Sequence, residues 1–267
     1  MQITIEKVHT ETFSMPFFRF GHGNRTLVML PGLSVQSVMG AASAVESAYK
    51  ILEDDFTVYL FEYREELPYP YSIRDMAKDA ATAMQTLGLS DVCLFGVSLG
   101  GMVAMEVALL YPELVKTMVL GSTSANVEGR YSVLEHWIRL AKQNDATGLY
   151  LDFGEKVYPP AVFKQCRDML VSAAETVTEE ELAHFVVLAE GAHGFNVLDE
   201  LDGIHCPVLT IGDKTDAVLG KEASEKIAEK LKDKPGCSLY MYDGYGHAAY
   251  DTAPDYKERI REFFCKY

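Results

Sequence analysis

Residues 91–110, DVCLFGVSLGGMVAMEVALL, constrain this chain more than any other stretch. The apolar run 92–95 is short and unbroken, as a strand buried on both faces would be, and the Ala-, Met- and Leu-rich run after Gly100 has helical spacing. Between them lies Gly96-Val97-Ser98-Leu99-Gly100. A strand that becomes a helix within so few residues must bend its backbone sharply at the serine, and only small neighbours leave room for the bend. Gly96 and Gly100 supply them, with Gly101 as a spare. Such a turn lifts the Ser98 hydroxyl above the sheet. It also aims the free N–H groups and positive end of the next helix at any negative charge forming there. Ser98 is therefore the candidate nucleophile. A Gly/Ser-rich connection without chemical consequence would satisfy the five-residue pattern alone; the flanking strand and helix are what favour chemistry.

Composition sets limits on the rest. A chain of 267 residues with 48% hydrophobic residues can bury a large α/β core, alone or with a smaller inserted piece. A net charge of −15 gives the wrong field for nucleic acid or an anionic membrane surface, so neither is an expected partner. The five cysteines, at 93, 166, 206, 237 and 265, form no C-x-x-C pair and no metal-ligand spacing, and their odd number argues against a disulfide framework. Reduced structural thiols are expected, with no metal and no cofactor. Residues 1–10 alternate apolar and polar side chains without a basic region or an apolar core, and no run of 18 apolar residues occurs anywhere. The expectation is a cytoplasmic protein.

In chain order, strands are expected over 3–5, 15–20 and 26–30, with Gly21-His22-Gly23-Asn24 as the turn into the third, so that a hairpin feeds a buried strand. A helix is expected over 38–52 and a strand over 56–61. The next helix has Ser72 as N-cap, Asp75 in the capping-box position and Gly88 as its stop. After the Ser98 unit, 117–120 reads as a strand. Strands alternating with helices at this spacing imply a largely parallel sheet. From 131 to 189 only helical patterns occur, over 133–143, 148–157, 161–175 and 178–189, the last with Glu181 in a capping-box position. That is too long for one crossover, so residues 122–200 are expected to form a helical cap over the carboxyl edge of a core made of 1–121 and 201–267. The strand rhythm then returns over 206–211, with a helix over 222–232, a strand over 238–242 and a closing helix over 255–264.

This order of parts resembles the α/β-hydrolase family. The resemblance rests on GVSLGG, on LVMLPGLS near the N-terminus, on IGDKTDAVLG and on YGHAAY ahead of the last helix, and covers residues 26–121 and 201–267. It implies a mostly parallel sheet with helices on both faces and a ligand site outside the carboxyl ends of the strands. The family's usual His-Gly after the third strand is Pro31-Gly32 here. That departure is tolerable because backbone N–H groups, not that side chain, would hold an oxyanion.

The family order of serine, acid and histidine selects His247, which alone sits in a loop after a late strand between Gly246 and Ala248; the other histidines, 9, 22, 136, 184, 193 and 205, lie elsewhere. Two residues compete as the acid. Asp216, four residues past Gly212, matches the family spacing and is favoured; Asp213, at the strand end, is the fallback, and could instead accept from amides of its own turn. The oxyanion donors are expected to be the backbone N–H groups of Leu33 and Leu99. Trp137, the single tryptophan, could line the pocket or only pack. The expected activity is hydrolysis of a carboxylic ester or related acyl bond of a small acyl substrate through Ser98, Asp216 and His247. The same triad also serves thioesterases, C–C bond hydrolases and acyltransferases, and a ligand-binding member of the fold could retain it.

Overall fold

A computed structural model of the chain describes residues 3–267; the first two residues of the expected core lie outside it. The first half alternates strands and helices: β1 (Ile5–His9), β2 (Ser14–Phe20), β3 (Arg25–Leu30), α1 (Ala42–Ala48), β4 (Phe56–Phe61), α2 (Ile73–Thr86), β5 (Val92–Val97), α3 (Leu99–Leu110) and β6 (Val115–Gly121). Four helices follow with no strand between them: α4 (Ser132–Lys142), α5 (Ala146–Val157), α6 (Pro160–Ala174) and α7 (Glu179–Gly191). The chain closes with β7 (Val208–Asp213), α8 (Lys221–Leu231), β8 (Ser238–Tyr242), α9 (Ala249–Thr252) and α10 (Tyr256–Lys266).

All strands join one eight-stranded sheet of order β1-β2-β4-β3-β5-β6-β7-β8. The β1–β2 and β2–β4 pairs are antiparallel and every later pair is parallel. Alternation of side chains explains why the middle strands read as continuous apolar runs. Val92 and Leu94 of β5 face one core cluster with α2 and α3, while Cys93, Phe95 and Val97 face another with α10. Helices cover both faces, and every residue of β5 is buried.

Boundaries differ from the sequence reading where tertiary contacts override local pattern. The Gly21–Asn24 turn does not pair β2 with β3, because β4 lies between them. The expected strand over 3–5 is displaced to Ile5–His9, an edge strand whose half-exposed side chains carry little pattern. The Ala-rich helix expected over 38–52 is broken into a 3₁₀ turn, α1 and a second 3₁₀ turn. Its start is held open by the Glu62 carboxylate, which accepts from the Val38 N–H at 2.9 Å and the Ser37 hydroxyl at 2.7 Å. The helix stops and starts followed their caps: Asp75 N–H donates to Ser72 Oγ at 3.2 Å, and Thr178 with Glu181 completes a capping box.

The ends of the helical segment meet. Val127 N–H donates to the Phe195 carbonyl at 3.1 Å, and Val197 N–H to the Ala125 carbonyl at 2.8 Å, so the chain leaves and re-enters the sheet region through one neck. Buried residues of α4 and α7, among them Leu134, Trp137 and Leu188, belong to the same apolar cluster as Met102 and Leu99 of α3. The segment thus closes over the C-terminal end of β5, where Ser98 emerges.

Candidate active site

Ser98 sits at φ 50°, ψ −120°, a conformation an L-residue avoids, at a cost of about 1–3 kcal/mol. Neighbouring groups hold it there. Its N–H donates to the Gly121 carbonyl at 2.9 Å, and its carbonyl accepts from the Thr123 hydroxyl at 2.7 Å. Gly100 is needed because a Cβ would run into the carbonyl oxygen of Leu30 and stand 2.5 Å from that of Pro31, the loop after β3. Gly101 is no spare: its Cβ would stand 2.6 Å from Thr123 Cβ, against the very side chain that braces Ser98.

Parallel packing of β3, β5, β7 and β8 brings their C-terminal loops together. His247, 4% exposed, places Nε2 3.0 Å from Ser98 Oγ and Nδ1 2.9 Å from Asp216 Oδ2. The Oδ1 atom of Asp216 is engaged by the N–H groups of Val218 at 2.8 Å and Leu219 at 3.0 Å. Burial disfavours ionisation of this carboxyl, but the charge of His247, its hydrogen bond and the two N–H donors outweigh it and hold Asp216 below the ordinary carboxylate range. An ionised carboxylate only accepts, so Nδ1 carries the proton. In the neutral ring Nε2 is then an acceptor, and the Ser98 hydroxyl donates to it.

Asp213 does something else. Fully buried, it accepts at Oδ1 from the Thr215 N–H (2.7 Å) and hydroxyl (2.6 Å), and at Oδ2 from the Tyr245 N–H (2.8 Å). It ties the loop after β7 to the loop bearing His247, and makes no contact with the imidazole. The structure brings Asp216, not Asp213, against the ring.

Leu33 and Leu99 lie on either side of Ser98, one in the loop after β3 and one opening α3. Among the described residues, neither N–H has a hydrogen-bond acceptor. Gly32 makes this approach possible, since a Cβ there would meet Ser98 Cβ at 3.3 Å. The loop is tethered by the Tyr63 hydroxyl, which donates to the Pro31 carbonyl at 3.0 Å.

A chamber of about 30 Å³ lies over these groups, and apart from Ser98, His247 and Tyr250 its walls are apolar. Met102 forms part of the floor; Leu134, Trp137, Phe153 and Val157 of α4 and α5 form the roof. Trp137 both lines the chamber and packs, its ring centroid 4.6 Å from that of Phe153. Phe153, Tyr250 and Thr123 were not singled out from the sequence. Tyr250 ends the YGHAAY motif and was within reach of that reading; the others have no local signature. Among the described residues no cluster of three or more His, Cys, Asp or Glu side chains could hold a metal ion, and no helix is long and apolar enough to cross a membrane. The cysteines are all free.

The model of the alpha/beta hydrolase fold family matches residues 26–254. A protein of Pseudomonas savastanoi pv. phaseolicola named "Putative carbamate hydrolase RutD" is 30% identical over 200 residues, 71% of this chain and 73% of its own. The mouse "Serine hydrolase BPHL" is 24% identical over 274 residues, covering 99% of this chain and 87% of its own. Among solved structures, MGS-M2, an alpha/beta hydrolase from a Medee basin deep-sea metagenome, superposes with a TM-score of 0.85 at 17% identity, over 97% of each chain. The enol-lactonase of Burkholderia xenovorans LB400 does so with 0.82 at 16% identity, over 97% of this chain and 100% of its own. At these identities the two structures speak for the fold alone.

Two measurements separate the carboxylates. Asp216→Asn leaves the fold intact but cannot hold His247 in the required tautomer, so kcat should fall by about four orders of magnitude. Asp213→Asn puts an amide donor or a poorer acceptor against buried N–H and hydroxyl groups. It should lower the unfolding free energy by about 1–3 kcal/mol while rate falls far less. Denaturant titration and steady-state kinetics on both variants check this, and a reversed pattern would contradict the assignment. Gly100→Ala should lose stability at or beyond the upper end of about 1–3 kcal/mol, because both obstructing atoms are backbone.

Proposed function

The chain belongs to the α/β-hydrolase family, and on that premise we propose that it is a serine hydrolase that cleaves a carboxylic ester or related acyl bond of a small molecule through Ser98, His247 and Asp216. The observation that carries this reading is the unbroken relay from Ser98 Oγ through His247 to Asp216 Oδ2, at 3.0 and 2.9 Å, beside the N–H groups of Leu33 and Leu99, which have no acceptor among the described residues.

In the proposed reaction Ser98 Oγ attacks the acyl carbon as its proton passes to His247 Nε2. The resulting imidazolium is stabilised by the ionised Asp216. Negative charge collects on the former carbonyl oxygen, where the N–H groups of Leu33 and Leu99 would receive it; one such donor is typically worth about 10²–10³ in kcat. The tetrahedral adduct collapses, the leaving group takes the proton from Nε2, and Ser98 remains acylated. Water then repeats the sequence: Nε2 removes its proton, the hydroxide oxygen bonds to the acyl carbon, and the Ser98 ester bond breaks with the proton returned to Oγ. Helices α4–α7, with the segment 122–200 that contains them, act as the lid that keeps bulk water from these charges. The names of the relatives, a carbamate hydrolase and a serine hydrolase, agree with acyl-bond hydrolysis as the class.

A fluorophosphonate reagent should label one residue, Ser98, identified by mass spectrometry of the digested adduct, and p-nitrophenyl ester turnover should disappear with labelling. Undiminished labelling of Ser98→Ala, or a labelled protein that keeps its turnover, would sink the proposal.

A further inference from the structure

The chamber over Ser98 is small. It encloses about 30 Å³, against about 320 Å³ for the apolar cleft on the other side of residues 31–33. What fixes so tight a roof is the side chain of Trp137. It is 2% exposed, and its Nε1–H donates to Asp152 Oδ2 at 2.7 Å. Its ring packs against Phe153 at an interplanar angle of 38°. The other carboxylate oxygen of Asp152 lies 3.5 Å from Lys156 Nζ and 3.7 Å from His136 Nε2, so the acceptor is itself held. An indole gripped at its edge by a carboxylate and at its face by a phenyl ring cannot swing aside to enlarge the chamber without losing both contacts. The hydrogen bond to a charged acceptor is the stronger of the two.

The walls add a chemical limit to the spatial one. Among the side chains lining the chamber, those of Ser98, His247 and Tyr250 carry the polar groups, together with the Trp137 N–H already committed to Asp152, and two of these belong to the proposed relay. A hydroxyl, amino or carboxylate group on the acyl chain would leave water for an apolar wall, which costs free energy that a methyl group does not incur.

From this, and resting on the serine-hydrolase reading above, we infer that Trp137, positioned by Asp152, is the specificity-determining residue for the acyl group, and that the substrates carry a short unsubstituted acyl group of the acetyl or propionyl class. Asp152 acts only through the indole. It is a positioning residue.

The test uses the full-length protein and two kinds of probe. In kcat/KM, p-nitrophenyl acetate should exceed p-nitrophenyl octanoate by about 100-fold or more in the parent, and Trp137→Ala should bring the two within about tenfold by raising the octanoate value. Asp152→Leu should shift the ratio in the same direction. Asp152→Asn, which keeps an acceptor oxygen for the indole N–H, should restore it. A merely structural Asp152 would instead lower both esters equally. Because Trp137 is the only tryptophan, its emission reports the chamber directly. It should shift when p-nitrophenyl ethyl methylphosphonate modifies Ser98, and in Asp152→Leu without any reagent. The corresponding octylphosphonate should react slowly with the parent and readily with Trp137→Ala. If neither phosphonate modifies Ser98, the serine-hydrolase reading falls and this inference with it. If both react and the parent shows no preference for the short chain, or the Trp137 and Asp152 variants leave the preference unchanged, the inference alone is overturned.

Discussion

The backbone of Ser98 is the constraint on which the rest of the site depends. A serine at φ 50° would relax if its surroundings let it, so the surroundings must over-determine it. They do so from every side. A buried β5 fixes the approach, and the Gly121 carbonyl and Thr123 hydroxyl bind the residue's own peptide groups. The N–H groups of Gly101 and Met102 also turn back onto the Ser98 carbonyl, at 3.0 and 3.2 Å. Each hydrogen bond is worth about 0.5–1.5 kcal/mol net, so a few of them offset the strain. The same packing that strains the serine brings the loop after β3 to van der Waals distance, which leaves Gly100 no room for a side chain and makes one at Gly32 tight. The candidate nucleophile and oxyanion donors are consequences of one close approach between two strand ends.

Electrostatics then assigns different work to two carboxylates three residues apart. Asp213 and Asp216 are both buried, but their acceptor atoms are spoken for differently. Asp213 gives both oxygens to its own turn and to the Tyr245 N–H, whereas Asp216 keeps Oδ2 for His247 after Val218 and Leu219 have fixed Oδ1. The first aligns two loops and the second aligns a ring. Spacing could rank these residues from the sequence, since only the second matched the family interval. It could not reveal that the first fastens the histidine loop, because the Tyr245 N–H belongs to a segment far along the chain.

That division describes legibility more generally. The strand-turn-helix around Ser98, the two capped helices and the parallel middle strands were readable because their causes are local: alternation, a glycine, a serine or threonine followed by an acid. The break in the helix expected over 38–52 was not, because its cause is Glu62, just past the end of β4, which captures the Ser37 hydroxyl and the Val38 N–H. The order β2-β4-β3 was likewise hidden, since a Gly-rich turn permits a hairpin without requiring one. Trp137 could be named as a candidate wall of the pocket, but its partner Asp152 carried no signal among many exposed acids of a helical segment.

The roof that Trp137 completes also governs the chemistry beneath it. In the proposed reaction, an ion pair between imidazolium and Asp216 and hydrogen bonds from Leu33 and Leu99 to a developing oxyanion would strengthen as water is excluded and the effective dielectric falls. Apolar walls from α4 and α5 exclude that water, and the closer they stand the stronger each interaction becomes. The same closeness subtracts from the volume left for the acyl group. Under that proposal, reactivity and tolerance for acyl size are opposed by geometry in this site. On the proposed mechanism, a wider chamber would admit longer chains only by wetting the charges whose dry surroundings favour the transition state, and the inferred role of Trp137 is to set the balance between them.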